Sequence, residues 1–266
     1  MIRPNLHVTT QFSQPTSRVA FPQEQKFHRI MKWGMWGLQE VIEEQALTFV
    51  SYDTWTDAYE GYLVKAINKR DGFEMLKEVF DRLEIEMHPK MFHATMQLLK
   101  RARHFQSWTS GPEREEMWRI YSPERTAVRV RTSALKVWQA QVEALPIVYV
   151  ESISIEDEVR RILTDKGSNL DFINIFTRKI KKRFEFEEEV RLVTDDCVMF
   201  PGSTSKTVAG RPDLRKVDIS RIPDFIESVM VDPEASAEHV AAVQAFCEAK
   251  GIAFEGKSRL NELIVK

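Results

Sequence analysis

AVRVRTSALKVWQAQVEALPIVYVES, residues 127–152, changes its period twice. AVRVRTS alternates apolar and polar side chains, the two-residue repeat of a half-buried strand. ALKVWQAQVEAL (134–145) reads as a helix, and PIVYVES (146–152) returns to β-branched and aromatic residues and reads as a strand. A further helix opens at Ser154-Ile155-Glu156-Asp157 and runs through Leu163. Downstream, DFINIFTRKIKKRF sets Phe172, Ile173, Phe176 and Ile180 on one helical face, and EEVRLVT follows as a strand. KVDIS and SVMVDP read as strands around a short helix, RIPDFIE. ASAEHVAAVQAFCEAKG is a helix with Ser236 as its cap and Gly251 as its stop, and IAFEGKSRL closes with a strand. Upstream, ALTFVS (46–51) and FQSWTS (105–110) read as strands. FEMLKEVFDRL, with Phe73, Leu76, Val79, Phe80 and Leu83 at helical spacing, and EREEMWRIY, with acids in its first turn, read as helices. Strands and helices mix without a strict βαβ rhythm. The expectation is an α+β fold: one domain, a mixed and mostly antiparallel sheet, helices around it.

No Gly-Pro-Ser linker or internal repeat divides the 266 residues. Residues 1–25, rich in Pro, Ser, Thr and Gln, read as a loosely packed arm, and 26–266 as the domain. The 16 Phe and 6 Trp imply a ring-rich core or pocket. A net charge of −2 excludes a molecule-wide trap for nucleic acid or anionic lipid, although Lys100–Arg103 and Arg178–Arg183 are locally basic. Cys197 and Cys247 lack CxxC spacing, which excludes a disulfide scaffold or a zinc site and suits a reducing cytoplasm. No stretch reaches the roughly 20 apolar residues of a membrane span, and the N-terminus lacks the apolar run of a signal peptide.

RFEFEEEVRLV, residues 183–193, puts four glutamates where a strand is expected. Strand alternation gathers Glu185, Glu187, Glu189 and Arg191 on one face, with neighbouring acids about 7 Å apart. That row is either a solvated outer face or the lining of a cleft. In a cleft, repulsion raises the pKa of one carboxylate while a cation lowers that of another, which serves acid–base chemistry, cationic transition states or a divalent metal. Other groups point to a cleft. WTDAYEG (55–61) sets Asp57 and Glu60 beside Trp55 and Tyr59, and MWRIY offers Trp118 and Tyr121 as a ring wall for a flat ligand. The six histidines show no HxH or HxxxH spacing, and no metal ligands are assigned. GxGxxG and GxSxG are both missing, which argues against Rossmann and α/β-hydrolase enzymes.

Five short motifs stand in a familiar order: Phe27-His28-Arg29, Thr56-Asp57-Ala58-Tyr59-Glu60, Met117-Trp118-Arg119-Ile120-Tyr121, Ala127-Val128-Arg129-Val130 and Glu187-Glu188-Glu189-Val190-Arg191. Their order resembles a bacterial and phage family, domain of unknown function 2971, over residues 27–260. Thr56 and Ala58 depart from that family's Asn and Pro. The family name implies no activity. A more distant resemblance is to ADP-ribosyltransferases, which implies NAD as co-substrate. By that resemblance Arg29 or His28 would hold the dinucleotide's phosphate or ribose. Glu189 would stabilise the positive ribose, Glu187 would orient the acceptor, and Tyr121 or Trp118 would stack on nicotinamide. Asp57, Glu60 and Arg191 would line the same site. The Ser-Thr-Ser middle motif of those enzymes is missing, with Thr132-Ser133 a partial stand-in. The expected function is therefore transfer of ADP-ribose to a protein, nucleic acid or small acceptor, in a toxin or phage-defence setting. Two alternatives stay open: a non-catalytic interaction module, and a metal-dependent nuclease or phosphodiesterase using Asp57, Glu60, Glu187 and Glu189.

Overall fold

Val128 and Val130 are fully buried while Arg129 and Arg131 stay half-buried on the opposite face, so the alternation at 127–133 folds as read. In the computed structural model these residues form a central strand. The structure describes residues 21–34, 37–54, 62–150, 152, 154–164, 178–180, 182–195 and 205–260. Its strands are β1 (Lys26–Met31), β2 (Ala46–Ser51), β3 (Arg103–Thr109), β4 (Val128–Ser133), β5 (Glu143–Pro146), β6 (Val148–Val150), β7 (Arg178–Ile180), β8 (Glu189–Asp195), β9 (Ser205–Val208), β10 (Arg211–Asp218), β11 (Ser228–Val231) and β12 (Ala253–Lys257). The helices are α1 (Leu38–Glu44), α2 (Tyr62–Ile67), α3 (Gly72–Arg82), α4 (Pro89–Ala102), α5 (Glu115–Tyr121), α6 (Ala134–Gln139), α7 (Ile155–Thr164) and α8 (Ala237–Lys250).

The main sheet runs β12-β11-β4-β1-β3, and β3 continues into β8 and β5 along one edge. On its other edge β3 meets β1 only at Thr109 and β2 at Phe105 and His104, which brings β2, β10 and β9 into the same sheet. All pairs in it are antiparallel except β11 with β12, and β6 and β7 make a separate parallel pair. This is the mixed, mostly antiparallel α+β arrangement expected. Since β1 is antiparallel to both β3 and β4, those two run parallel, and α5 carries the chain between them across β1.

The sheet has a core on each face. Phe27, Val130, Trp108 and Leu192 meet α1, α6 and α8 on one side; Phe105, Leu145 and Val193 meet α2, α3, α4 and α7 on the other. Phe21 packs edge-on against Phe27, and the backbone N–H groups of Ala134 and Leu135 donate to Gln25 and Gln23, so residues 21–25 are tied to the sheet. Residues 1–20 lie outside the described residues. Among the described residues no helix is long and apolar enough to cross a membrane.

Four local expectations are corrected. Where DFINIFTRKIKKRF was expected to be helical, Arg178–Ile180 form β7 and pair with β6, and residues 171–177 and 181 lie outside the described residues. The helix expected over 134–145 stops at Gln139; Gln141 takes a left-handed φ of 57°, and Glu143–Pro146 leave as β5 to pair with β8. The helix expected at 221–227 is a run of turns, because Pro223 has no N–H to donate and Asp224 turns left-handed. The strand expected from 183 begins only at Glu189. Lys182–Glu187 form a 3-10 turn, and Glu188, at φ 40°, reverses the chain into β8.

Candidate active site

The end of β3 places the acidic segment. Thr109 Oγ1 donates to the carbonyl of Glu187 at 2.5 Å and accepts from the N–H of Gly111 at 3.1 Å. The N–H of Ser110 donates to the carbonyl of Glu188 at 3.0 Å. These bonds hold the left-handed kink at Glu188, whose side chain turns out to Arg114 at 3.4 Å. Gly111 is needed there: a Cβ would stand 2.9 Å from Glu188 Cβ. The kink, not strand alternation, swings Glu187 to the side that Glu189 occupies.

On that side the carboxylates are buried, each 5% exposed. Register pairs Thr109 with Glu189 and Ser107 with Arg191, so alternation gives Ser107, Glu189 and Arg191 a common face. Ser107 Oγ donates to Glu189 Oε1 at 2.6 Å, and Arg191 Nη2 donates to the same oxygen at 2.9 Å. Lys179 Nζ, on β7, lies 3.3 Å from Glu187 Oε2 and 3.5 Å from Glu189 Oε2. Tyr121, at the end of α5, donates its hydroxyl to Glu187 Oε1 at 2.8 Å. The N–H of Glu189 donates to the Tyr149 hydroxyl at 3.4 Å. All four carboxylate oxygens thus have a donor.

Burial alone would raise the Glu189 pKa. The charges of Arg191 and Lys179, with the hydrogen bonds from Ser107 and Arg191, outweigh it and hold the carboxyl below its ordinary value. The tyrosines move the other way: burial, reinforced by the two glutamates, pushes the Tyr121 and Tyr149 phenols above their ordinary range. The cluster is a fixed anion braced by cations and capped by neutral phenols.

Glu187, Glu189, Arg191 and Tyr121 are therefore together. Trp118 is fully buried one turn earlier on α5 and donates Nε1 to Glu113 at 2.6 Å. His28 shares the face of Glu189 through one rung, His28↔Thr109↔Glu189. It is held neutral, its pKa lowered to about 3 by burial and then by Arg129 and Arg131. Arg29 pairs with Val130 and so projects to the opposite face with Phe27 and Met31. Burial lowers its guanidinium to about 10, against a smaller opposing pull from Tyr121, and its Nη1 finds no partner among the described residues. Asp57 and Glu60 lie outside the described residues. Two surface concavities, one between α3 and the start of α7 and one beside β2 and β10, are lined by none of these residues. Among the described residues no group of three His, Cys, Asp or Glu could hold a metal ion.

Sequence reasoning missed Lys179, Ser107 and Tyr149. Lys179 was visible only as part of a basic run, and Ser107 as one position of a strand whose partner was unknown. No family model, curated protein or solved structure matches the chain.

Proposed function

We propose that the protein is an ADP-ribosyltransferase-like enzyme acting on NAD, with Glu189 as its working carboxylate. The observation that carries this reading is an ionised carboxylate kept in place at 5% exposure by Arg191, Lys179 and Ser107, beside the phenol of Tyr121. NAD supplies a glycosidic bond that breaks with positive charge growing on the ribose. A carboxylate already charged and already oriented stabilises such charge without reorganising. Glu187, with Tyr121 on its other oxygen, is the group to orient an acceptor. His28, on the face of Glu189, is better sited than Arg29 to hold a polar part of the dinucleotide. Tyr121, 45% exposed, gives a ring edge reachable from solvent.

The fit has one condition. Every oxygen of the pair already has a donor, so a ribose hydroxyl reaches Glu189 only if one gives way. The contacts of Lys179, at 3.3 and 3.5 Å, are the longest and the natural ones to yield. The same saturation favours a second reading, in which the network braces the fold of a non-catalytic interaction module. Incubating the pure full-length protein with NAD and measuring free nicotinamide separates the two. The enzyme reading expects release that falls at least about a hundredfold in Glu189→Gln, the usual scale for losing one electrostatic group aimed at a transition state. Absence of both NAD binding and nicotinamide release, with protein and nucleic-acid acceptors supplied, sinks it and leaves the interaction module.

A further inference from the structure

Arg129 stands on β4 in register with Ile30 of β1 and Met230 of β11, both half-buried. One rung further, on the same face, Arg131 stands beside His28. The Arg129 guanidinium makes no ion pair or hydrogen bond with any described residue. Two carboxylates act on it through space, Glu113 and Glu255, and both are committed elsewhere. Glu113 accepts from Trp118 at 2.6 Å; Glu255 Oε1 accepts from Ser228 Oγ at 2.5 Å and pairs with Arg131 Nη1 at 2.7 Å. Beside Arg129, His28 Nδ1 and Arg131 Nε are shielded from water with no hydrogen-bond partner among the described residues. Glu227 pairs with Lys26 at 2.7 Å, with Lys136 at 3.4 Å and distantly with Arg131 at 3.6 Å, so it does not fill the gap.

A guanidinium drawn out of water without a counter-ion is destabilising, and a neutral imidazole beside two arginines offers one N–H rather than charge. The missing component is an anion that accepts several donors at once, which is the chemistry of a phosphate group meeting the planar arginine fork. We propose that Arg129, Arg131 and His28 form a phosphate-binding site on the face of β1 and β4 that the three residues share. It deepens the part given to His28 in the reading above, while its own test does not pass through Glu189, which lies two strands from His28, roughly 10 Å by strand spacing.

The test is thermal unfolding and calorimetric titration of the full chain, starting in phosphate-free buffer, with inorganic phosphate, pyrophosphate and ADP as separate probes. Wild type is expected to gain Tm and release binding heat with at least one of them. Response to phosphate or pyrophosphate assigns the site to the free anion; response to ADP alone assigns it to a nucleotide carrying the group. Arg129→Met is expected to keep or raise Tm without phosphate and to lose the response. Arg129→Lys, which keeps charge but not the fork, is expected to weaken binding about tenfold and decides the matter should the methionine variant not fold. Arg114→Gln, removing an exposed cation elsewhere, is expected to respond as wild type. No response from wild type to any probe, an unchanged response in both Arg129 variants, or equal loss in Arg114→Gln overturns the proposal.

Discussion

Glu189 has two cations within reach and little water, so its removal and its protonation act alike. Glu189→Ala leaves Lys179 and Arg191 with one fewer counter-charge inside the protein, and the expected loss in urea unfolding is about 3–5 kcal/mol. Tyr121→Phe takes one donor from a carboxylate that keeps Lys179, and the expected loss is about 1–2 kcal/mol. The pH dependence has two parts. Glu189 has a depressed pKa, so its contribution is present above its unfolded value and is lost as pH falls through the folded one. His28 is held neutral to about 3 against 6.5 in the open chain, so the unfolded state gains a proton first and stability falls as pH drops from 6.5 toward 3. Glu189 acts only in the lower part of that range. A His28→Gln variant is therefore expected to show a flatter stability profile between pH 6 and 5 in denaturant titrations; a profile parallel to wild type would mean that His28 titrates normally.

At the scale of elements, strand β4 and helix α8 were legible because local signals agreed with tertiary demands. Val128 and Val130 face one core, Ser236 accepts from the N–H of His239 at 3.1 Å, and Gly251 takes the left-handed stop at φ 68°. The acidic segment was not legible, because its conformation is imposed from β3, 78 residues away, through the bond from Thr109 to Glu187. RFEFEE alternates like a strand, yet a 3-10 turn and the Glu188 kink satisfy that clamp. The clamp makes its own prediction. Gly111→Ala forces a methyl group against Glu188 and is expected to cost about 1–3 kcal/mol, measured by chemical denaturation, although Gly111 lies in no helix or strand.

Across the whole molecule, one rung, Ser228–Arg131–His28–Thr109–Glu189, spans five strands drawn from the whole described length of the chain. Composition and periodicity predicted an α+β fold but not this rung, since register is a property of pairs and a single strand carries no record of its partner. The same limit hid Ser107 and put Arg29 and Glu189 in one expected site, although their register sends them to opposite faces. The topology also predicts uneven protection. β4, paired on both sides with Val128 and Val130 fully buried, should exchange its amides slowly, and the end strands β9 and β12, each paired on one side and without a buried residue, should exchange faster; exchange mass spectrometry reads both. The claim that joins these scales is that the buried anion at Glu189 serves a ligand as well as the fold. Nicotinamide release from NAD by the wild-type protein, set against a Glu189→Gln variant shown by near-ultraviolet circular dichroism to keep its packing, tests it most directly. The account predicts release by the first and almost none by the second; equal release by both, or none by either, contradicts it.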